Sequence, residues 1–188
     1  MRLFKTPKYW YHKLEDEFVG RSILEVGVGR RKLAGAVGID VRGNALADIH
    51  HDLKLLPWPL KDSAYDLVLC RHILEHLPDT DKVMDELHRV LRPGGRLVIE
   101  VPHYSCAEAF RHWQHVHFFS CGSFDDFLEG NPHYRAQFTM RRRHLFFDDV
   151  SRILGIEWLA NRIMRIYERR FAFIFPAGSI YVELEAVK

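Results

Sequence analysis

The stretch SILEVGVGRRKLAGAVGIDV, residues 22–41, constrains the fold more than any other. It holds two short apolar runs, 22–27 and 36–41, with a glycine turn closing the first and Asp40 near the end of the second. Continuous apolar runs of this length read as strands buried on both faces. Only 11 residues lead from Gly29 to Asp40. That is too few for a long crossover helix plus a strand, so the spacing predicts one helical turn or a tight loop.

The pattern continues along the chain. ADIHHDL (47–53) is a third candidate strand, YDLVLCR (65–71) a fourth and RLVIEV (96–101) a fifth, with the proline-bearing loop LPWPLKDSA before the fourth. DTDKVMDELHRVL places Val83, Leu87, Val90 and Leu91 at helical spacing; Asp79 or Thr80 would cap its start and RPGG would stop it. Beyond Arg135, AQFTMRRRHLFF reads as a strand with mixed faces and SIYVELEAV as a final strand. LANRIMRIYERR reads as an amphipathic helix with Leu159, Ile163, Ile166 and Tyr167 on one side. Strands alternating with helices predict the α/β class: a doubly wound, mostly parallel Rossmann-like sheet with antiparallel C-terminal strands. Residues 1–188 are read as one domain, with 1–20 a candidate helix or lid and 104–170 a substrate-side insertion carrying a basic helix.

Net charge is only +2, so no global attraction to nucleic acid is expected. Three widely spaced cysteines form neither a disulfide framework nor a CxxC pair, which favours a reducing, cytoplasmic setting. No segment approaches the roughly 20 apolar residues of a membrane span.

In open α/β sheets, ligands bind beyond the carboxyl ends of the strands. Gly27 and Gly29 stand at such an end, where a missing Cβ allows close approach and positive φ. A dinucleotide fingerprint needs a third glycine where this chain has Lys32. Glu25 would repel a pyrophosphate but suits an ammonium, and Asp40 suits the two hydroxyls of a ribose. The implied ligand has a ribose, a positive amine and no phosphates, a description that S-adenosylmethionine fits.

These segments together resemble the class I S-adenosylmethionine-dependent methyltransferases, in particular the type 11 group. LEVGVG, GIDV, HDLKLLPWPLKDSAYDLVLCRHILEHL and ELHRVLRPGGRLVIEVP match its motifs in order, from Ile23 to about Val101. The resemblance implies a seven-stranded sheet. It also implies that Glu25, Gly27 and Gly29 line the methionine end, Asp40 holds the ribose, Asp52 and Leu53 flank the adenine, and Arg71 borders the pocket. The family's third glycine is absent, Arg31 standing in its place, as in a compact subgroup.

Methyl transfer depends on holding two partners at attack distance, with a general base where the acceptor carries a proton. Three histidine groups offer one: His72 and His76 in RHILEHL, His103 in VPHYS, and His112, His115 and His117 in HWQHVHFFS. The last segment resembles a DPTHVRFFT-like stretch of sugar-modifying members, with His115 on its histidine. His115 and His103 are therefore the expected bases. The HxxHxH spacing with His103 is a rival nitrogen-ligand set, but no acid or cysteine is fixed beside it, so no metal is expected. Residues 135–170 hold nine arginines against four acids, which suits a solvated face, an anionic acceptor or a membrane surface. The expected activity is O- or N-methylation of a small or carbohydrate-like acceptor. The alternatives are a non-catalytic cofactor-binding or scaffold module and, third, a nicotinamide enzyme.

Overall fold

The computed structural model describes residues 13–14, 16–43 and 46–188. Seven strands form one sheet: β1 (Ile23–Val26), β2 (Val37–Asp40), β3 (Ile49–His50), β4 (Tyr65–Arg71), β5 (Leu91–Pro102), β6 (Phe138–Phe146) and β7 (Ser179–Ala186). Their order is β3-β2-β1-β4-β5-β7-β6. β1 to β5 run parallel, and β7 is antiparallel to both β5 and β6. After β4 the α-helices among the described residues are α1 (Thr80–Val90), α2 (Ala107–Arg111), α3 (Asp149–Ile153), α4 (Ile156–Arg162) and α5 (Met164–Arg170).

Period-two alternation divides the central strands between two layers. Leu24, Val26, Val68, Cys70, Leu97 and Ile99 face one side, where Val83, Met84, Leu87 and Val90 of α1 pack with Trp58. Ile23, Leu67, Leu69 and Val98 face the other, against Leu14, Leu33, Phe146 and Tyr181. Leu87 is wholly buried, and truncating such a residue to alanine costs about 2–5 kcal/mol. With both faces covered, a parallel sheet exposes its strand tips, and the site is built there.

As the short spacing predicts, no helix joins β1 to β2; Gly27, Gly29 and Gly35 take positive φ in a turn-rich loop. Other local expectations need correction. The third strand is a two-residue edge, paired only through Ile39–Ile49 and Asp40–His50. α1 does end before RPGG, but β5 begins at once: Leu91 pairs with Tyr65 and Arg96 with Leu67, so RPGG is a bulge inside the strand. Gly94 at φ 72 makes that bulge. Neither proposed cap bonds the first turn of α1, because Asp79 turns to Lys82 at 3.2 Å and Thr80 Oγ1 is buried without a partner. The basic helix breaks at Ile163 (φ −126°, ψ 38°) into α4 and α5. Its predicted apolar face is lost with it: Tyr167 is buried while Leu159 and Ile166 are exposed. Most of the candidate lid, residues 1–12 and 15, lies outside the described residues; Leu14 and Phe18 pack into the sheet's second layer.

Candidate functional site

Three carboxylates hold the loop after β1 in the place of a helix. Glu25 Oε2 accepts the Leu33 amide at 2.7 Å. Asp40 Oδ2 accepts the Gly29 amide at 2.9 Å. Asp48 takes Lys32 Nζ at 2.7 Å and the Gly38 amide at 2.7 Å. Lys32, standing at the third glycine position, is thus a tie across β2. Gly27 has φ 68, and a Cβ there would lie 2.5 Å from Ile73 Cγ1, so the bare backbone makes room for the turn after β4.

Glu25 is 1% exposed. Its Oε1 accepts Arg71 Nε at 3.0 Å and also Arg71 Nη2. Arg71 Nη2 reaches the Arg31 carbonyl as well, at 3.2 Å. Both Glu25 oxygens are engaged, so Glu25 ties the loop and the two strands together. Neither Glu25, Gly27, Gly29 nor Arg71 lines the cavity beyond the strand tips.

That cavity measures about 620 Å³. Asp40, Asp52 and Leu53 line it from the β2–β3 side, and His72, Ile73, His76 and Trp113 from the turn after β4 and the segment after α2. Asp40 Oδ1 accepts the Arg42 amide at 2.9 Å, while the Arg42 guanidinium makes only longer contacts of 3.3–3.4 Å. Burial pushes the Asp40 carboxyl up, but the Arg42 and Gly29 donors outweigh it and hold it below its ordinary range.

His72 has φ 51, a left-handed conformation uncommon outside glycine. It turns the chain from β4 into a 3-10 turn, Leu74–His76. Its ring lies 3.5 Å from Glu75 Oε1 and 3.8 Å from Glu100 Oε1. Burial favours the neutral ring, yet these two acids hold its pKa above the ordinary histidine value. The Val116 amide donates to the Glu75 carbonyl at 2.8 Å, which brings 112–117 alongside, and the His76 and His115 rings meet edge-on at 4.7 Å.

The two expected bases part company. His115 stands beside His76 at the cavity's edge. His103 is wholly buried, with Nε2 3.0 Å from Glu168 and Nδ1 2.7 Å from Ser105 Oγ. Glu168 also accepts the Cys121 amide at 2.6 Å, so this cluster pins α5 to the end of β5. The HxxHxH set does not converge either: His117 bonds the Pro78 carbonyl at 2.9 Å. Among the described residues, the ligating atoms that do lie together belong to Glu75, His76 and His115, all within 4.8 Å of one another. Sequence reasoning missed Glu75; its one signal is an acid beside His76 between the apolar residues of ILEHL.

Residues 24–99 match the family model described as a methyltransferase domain. The matched span runs from β1 into β5 and contains Glu25, Gly27, Gly29, Asp40, Asp52, Leu53 and Arg71. Over that span the chain is similar to methyltransferase domains. The methyltransferase Methyltransferase GfsG of Streptomyces halstedii is 34% identical over 112 residues, covering 47% of this chain and 40% of that protein. Phosphoethanolamine N-methyltransferase 2 of Caenorhabditis elegans is 28% identical over 102 residues, covering 43% of this chain and 23% of that one. The chain thus matches less than half the length of these relatives. A SAM-dependent methyltransferase from Archaeoglobus fulgidus superposes with a TM-score of 0.66 at 15% identity, covering 96% of this chain and 94% of the other. Phosphoethanolamine N-methyltransferase 2 of Haemonchus contortus, solved with S-adenosyl-L-methionine, gives 0.56 at 15% identity, covering 96% and 53%. At that identity the likeness is one of fold. The chain has the seven-stranded sheet that the sequence resemblance implied.

Proposed function

We propose that the chain is an S-adenosylmethionine-dependent methyltransferase with the cofactor in the cavity at the strand tips. The observation that carries this reading is the cavity's division into two ends. Asp40 holds the ribose hydroxyls there, displacing the long contacts of the Arg42 guanidinium, while Asp52 and Leu53 border the adenine. Glu25 and Arg71 position the glycine loop without touching the ligand. The acceptor enters at the other end, among His72, His76 and Trp113. Trp113 lines the cavity yet is 90% exposed, so its ring offers an open apolar face. That face supports a small or carbohydrate-like acceptor, methylated on oxygen or nitrogen and held at attack distance. His115 serves this end beside His76, and His103 keeps α5 in place.

Calorimetry with S-adenosylmethionine tests the assignment. Asp40→Ala removes hydrogen bonds to a charged acceptor, each contributing about 1.5–3 kcal/mol, so affinity falls at least tenfold. Unchanged affinity in a folded variant removes Asp40 from the site. Cofactor binding with no methyl transferred to any extract fraction favours the non-catalytic module, and binding of a nicotinamide dinucleotide instead favours the third reading.

A second reading concerns delivery of the acceptor. Ile153, Leu154, Trp158, Phe173 and Ile174 are all more than 60% exposed, among the exposed Arg152, Arg162, Arg165, Arg169 and Arg170. Apolar side chains set among arginines suit the surface of an anionic bilayer. Among the described residues no helix is long and apolar enough to cross a membrane, so contact is peripheral. Co-sedimentation with anionic but not neutral vesicles supports this; equal partition into both contradicts it.

A further inference from the structure

Glu75 is 1% exposed, and its Oε2 has no hydrogen-bond partner. A buried acceptor left unpaired is costly, and more so when charged. A fold keeps such an atom where something else completes it.

Two imidazoles stand ready beside it. His76 Nδ1 lies 3.3 Å from the Gln114 carbonyl, and His115 Nδ1 lies 2.8 Å from the Ala109 carbonyl. A carbonyl accepts only, so each Nδ1 carries the proton and each Nε2 keeps its lone pair. Metal-bound histidines are oriented in this way, the second ring nitrogen donating to a backbone carbonyl. One ligating atom from each of Glu75, His76 and His115 falls within 4.8 Å of the others. The nearby Glu100, 4% exposed, adds to a negative potential that favours a cation.

We propose that Glu75, His76 and His115 bind one divalent transition-metal ion, zinc being the best match to two imidazoles and a carboxylate. An ion held at about 2.1 Å from each ligand sets them roughly 3.4 Å apart, so the three close by about an ångström on binding. Glu75 Oε2 has no bond to lose in that movement. Three protein ligands leave a fourth position open, the arrangement of catalytic rather than structural sites. His76 lines the cavity, so that position serves an acceptor oxygen; this last point alone rests on the methyl-transfer reading.

The test uses the full chain after chelator treatment, titrated with zinc chloride by calorimetry and with cobalt chloride by visible absorption, without S-adenosylmethionine. One ion per chain with tetrahedral cobalt bands is expected. Glu75→Gln and His115→Ala, each shown folded by circular dichroism, weaken zinc binding by more than the roughly 10–100-fold typical of an outer partner. His117→Ala changes nothing. No uptake by the wild type, or uptake by surface histidines only that survives Glu75→Gln, overturns the proposal. A parallel titration with S-adenosylmethionine keeps the two readings apart. Cofactor binding without metal sinks the metal site alone, and metal binding without cofactor sinks only the methyl-transfer assignment.

Discussion

Glu25 and Glu75 are equally buried, each 1% exposed, near the tips of the adjacent strands β1 and β4. They are bonded in opposite ways. Glu25 has both oxygens taken, by the Leu33 amide and by Arg71. Glu75 has one oxygen near His72 and one with no partner. Burial alone therefore says little about the purpose of an acid. A satisfied carboxylate holds the structure, and an unsatisfied one waits for a ligand.

The largest expected effect breaks the first half of that contrast. Glu25→Ala leaves the largely buried Arg71 and the Leu33 amide without their acceptor, and breaking a buried pair costs about 3–5 kcal/mol. A denaturant titration should show that loss, with cofactor binding lost alongside it. A midpoint close to the wild type's means that Glu25 does not tie the loop to the strands. Next comes Gly27→Val, whose branched Cβ meets Ile73 at a left-handed φ. It costs about 1–2 kcal/mol in backbone alone and pushes Ile73 toward the cavity, so calorimetry should find S-adenosylmethionine binding lost. Wild-type affinity in that variant dissociates the loop from the site.

His103→Ala sharpens the distinction between buried polar groups that hold and those that act. It removes a partner of Glu168 and should lower stability by about 1–3 kcal/mol, with cofactor affinity unchanged. A catalytic His103 instead loses turnover at constant stability. Burial pushes the Glu168 carboxyl up, but His103 and Cys121 outweigh it and hold it below the ordinary glutamate value of 4.5. Its stabilisation is therefore complete above that value and fades as pH falls through the lowered one. The gap in stability between wild type and Glu168→Gln should close over that same acidic window. Glu75→Gln completes the contrast with Glu25: it removes a buried charge that lacks a full set of partners, so stability changes by less than about 1 kcal/mol. A large loss there makes Glu75 a structural tie too. The smallest effect is Arg42→Ala, which frees Asp40 of contacts longer than 3.2 Å; cofactor affinity should hold or rise a few-fold.

Sequence carried the fold further than it carried the site. β1, β2, β4 and the helix over 80–90 were legible because local apolar periodicity makes them. Asp40 was expected from its place at a strand end, and Asp52 and Leu53 from the family resemblance; all three line the cavity. The Glu25–Arg71 pair was not, since 46 residues separate its members and only strand pairing joins them. His103 and His115 looked alike as letters; burial against Glu168 separates them, and burial is a property of the packed chain. The break at Ile163 escaped because Leu159, Ile163 and Ile166 keep helical spacing across it, with no proline or glycine to mark it. Glu75 escaped for a similar reason: whether an acid is satisfied depends on what the fold brings beside it.

The most direct test of the account is a crystal structure of the full chain with S-adenosylhomocysteine, the product left after methyl transfer. The ribose hydroxyls should lie within hydrogen-bond distance of the Asp40 carboxylate, with the Arg42 guanidinium displaced and the adenine beside Leu53. A ligand bound elsewhere, or an Arg42 still seated on Asp40 above an empty cavity at saturating concentration, contradicts it.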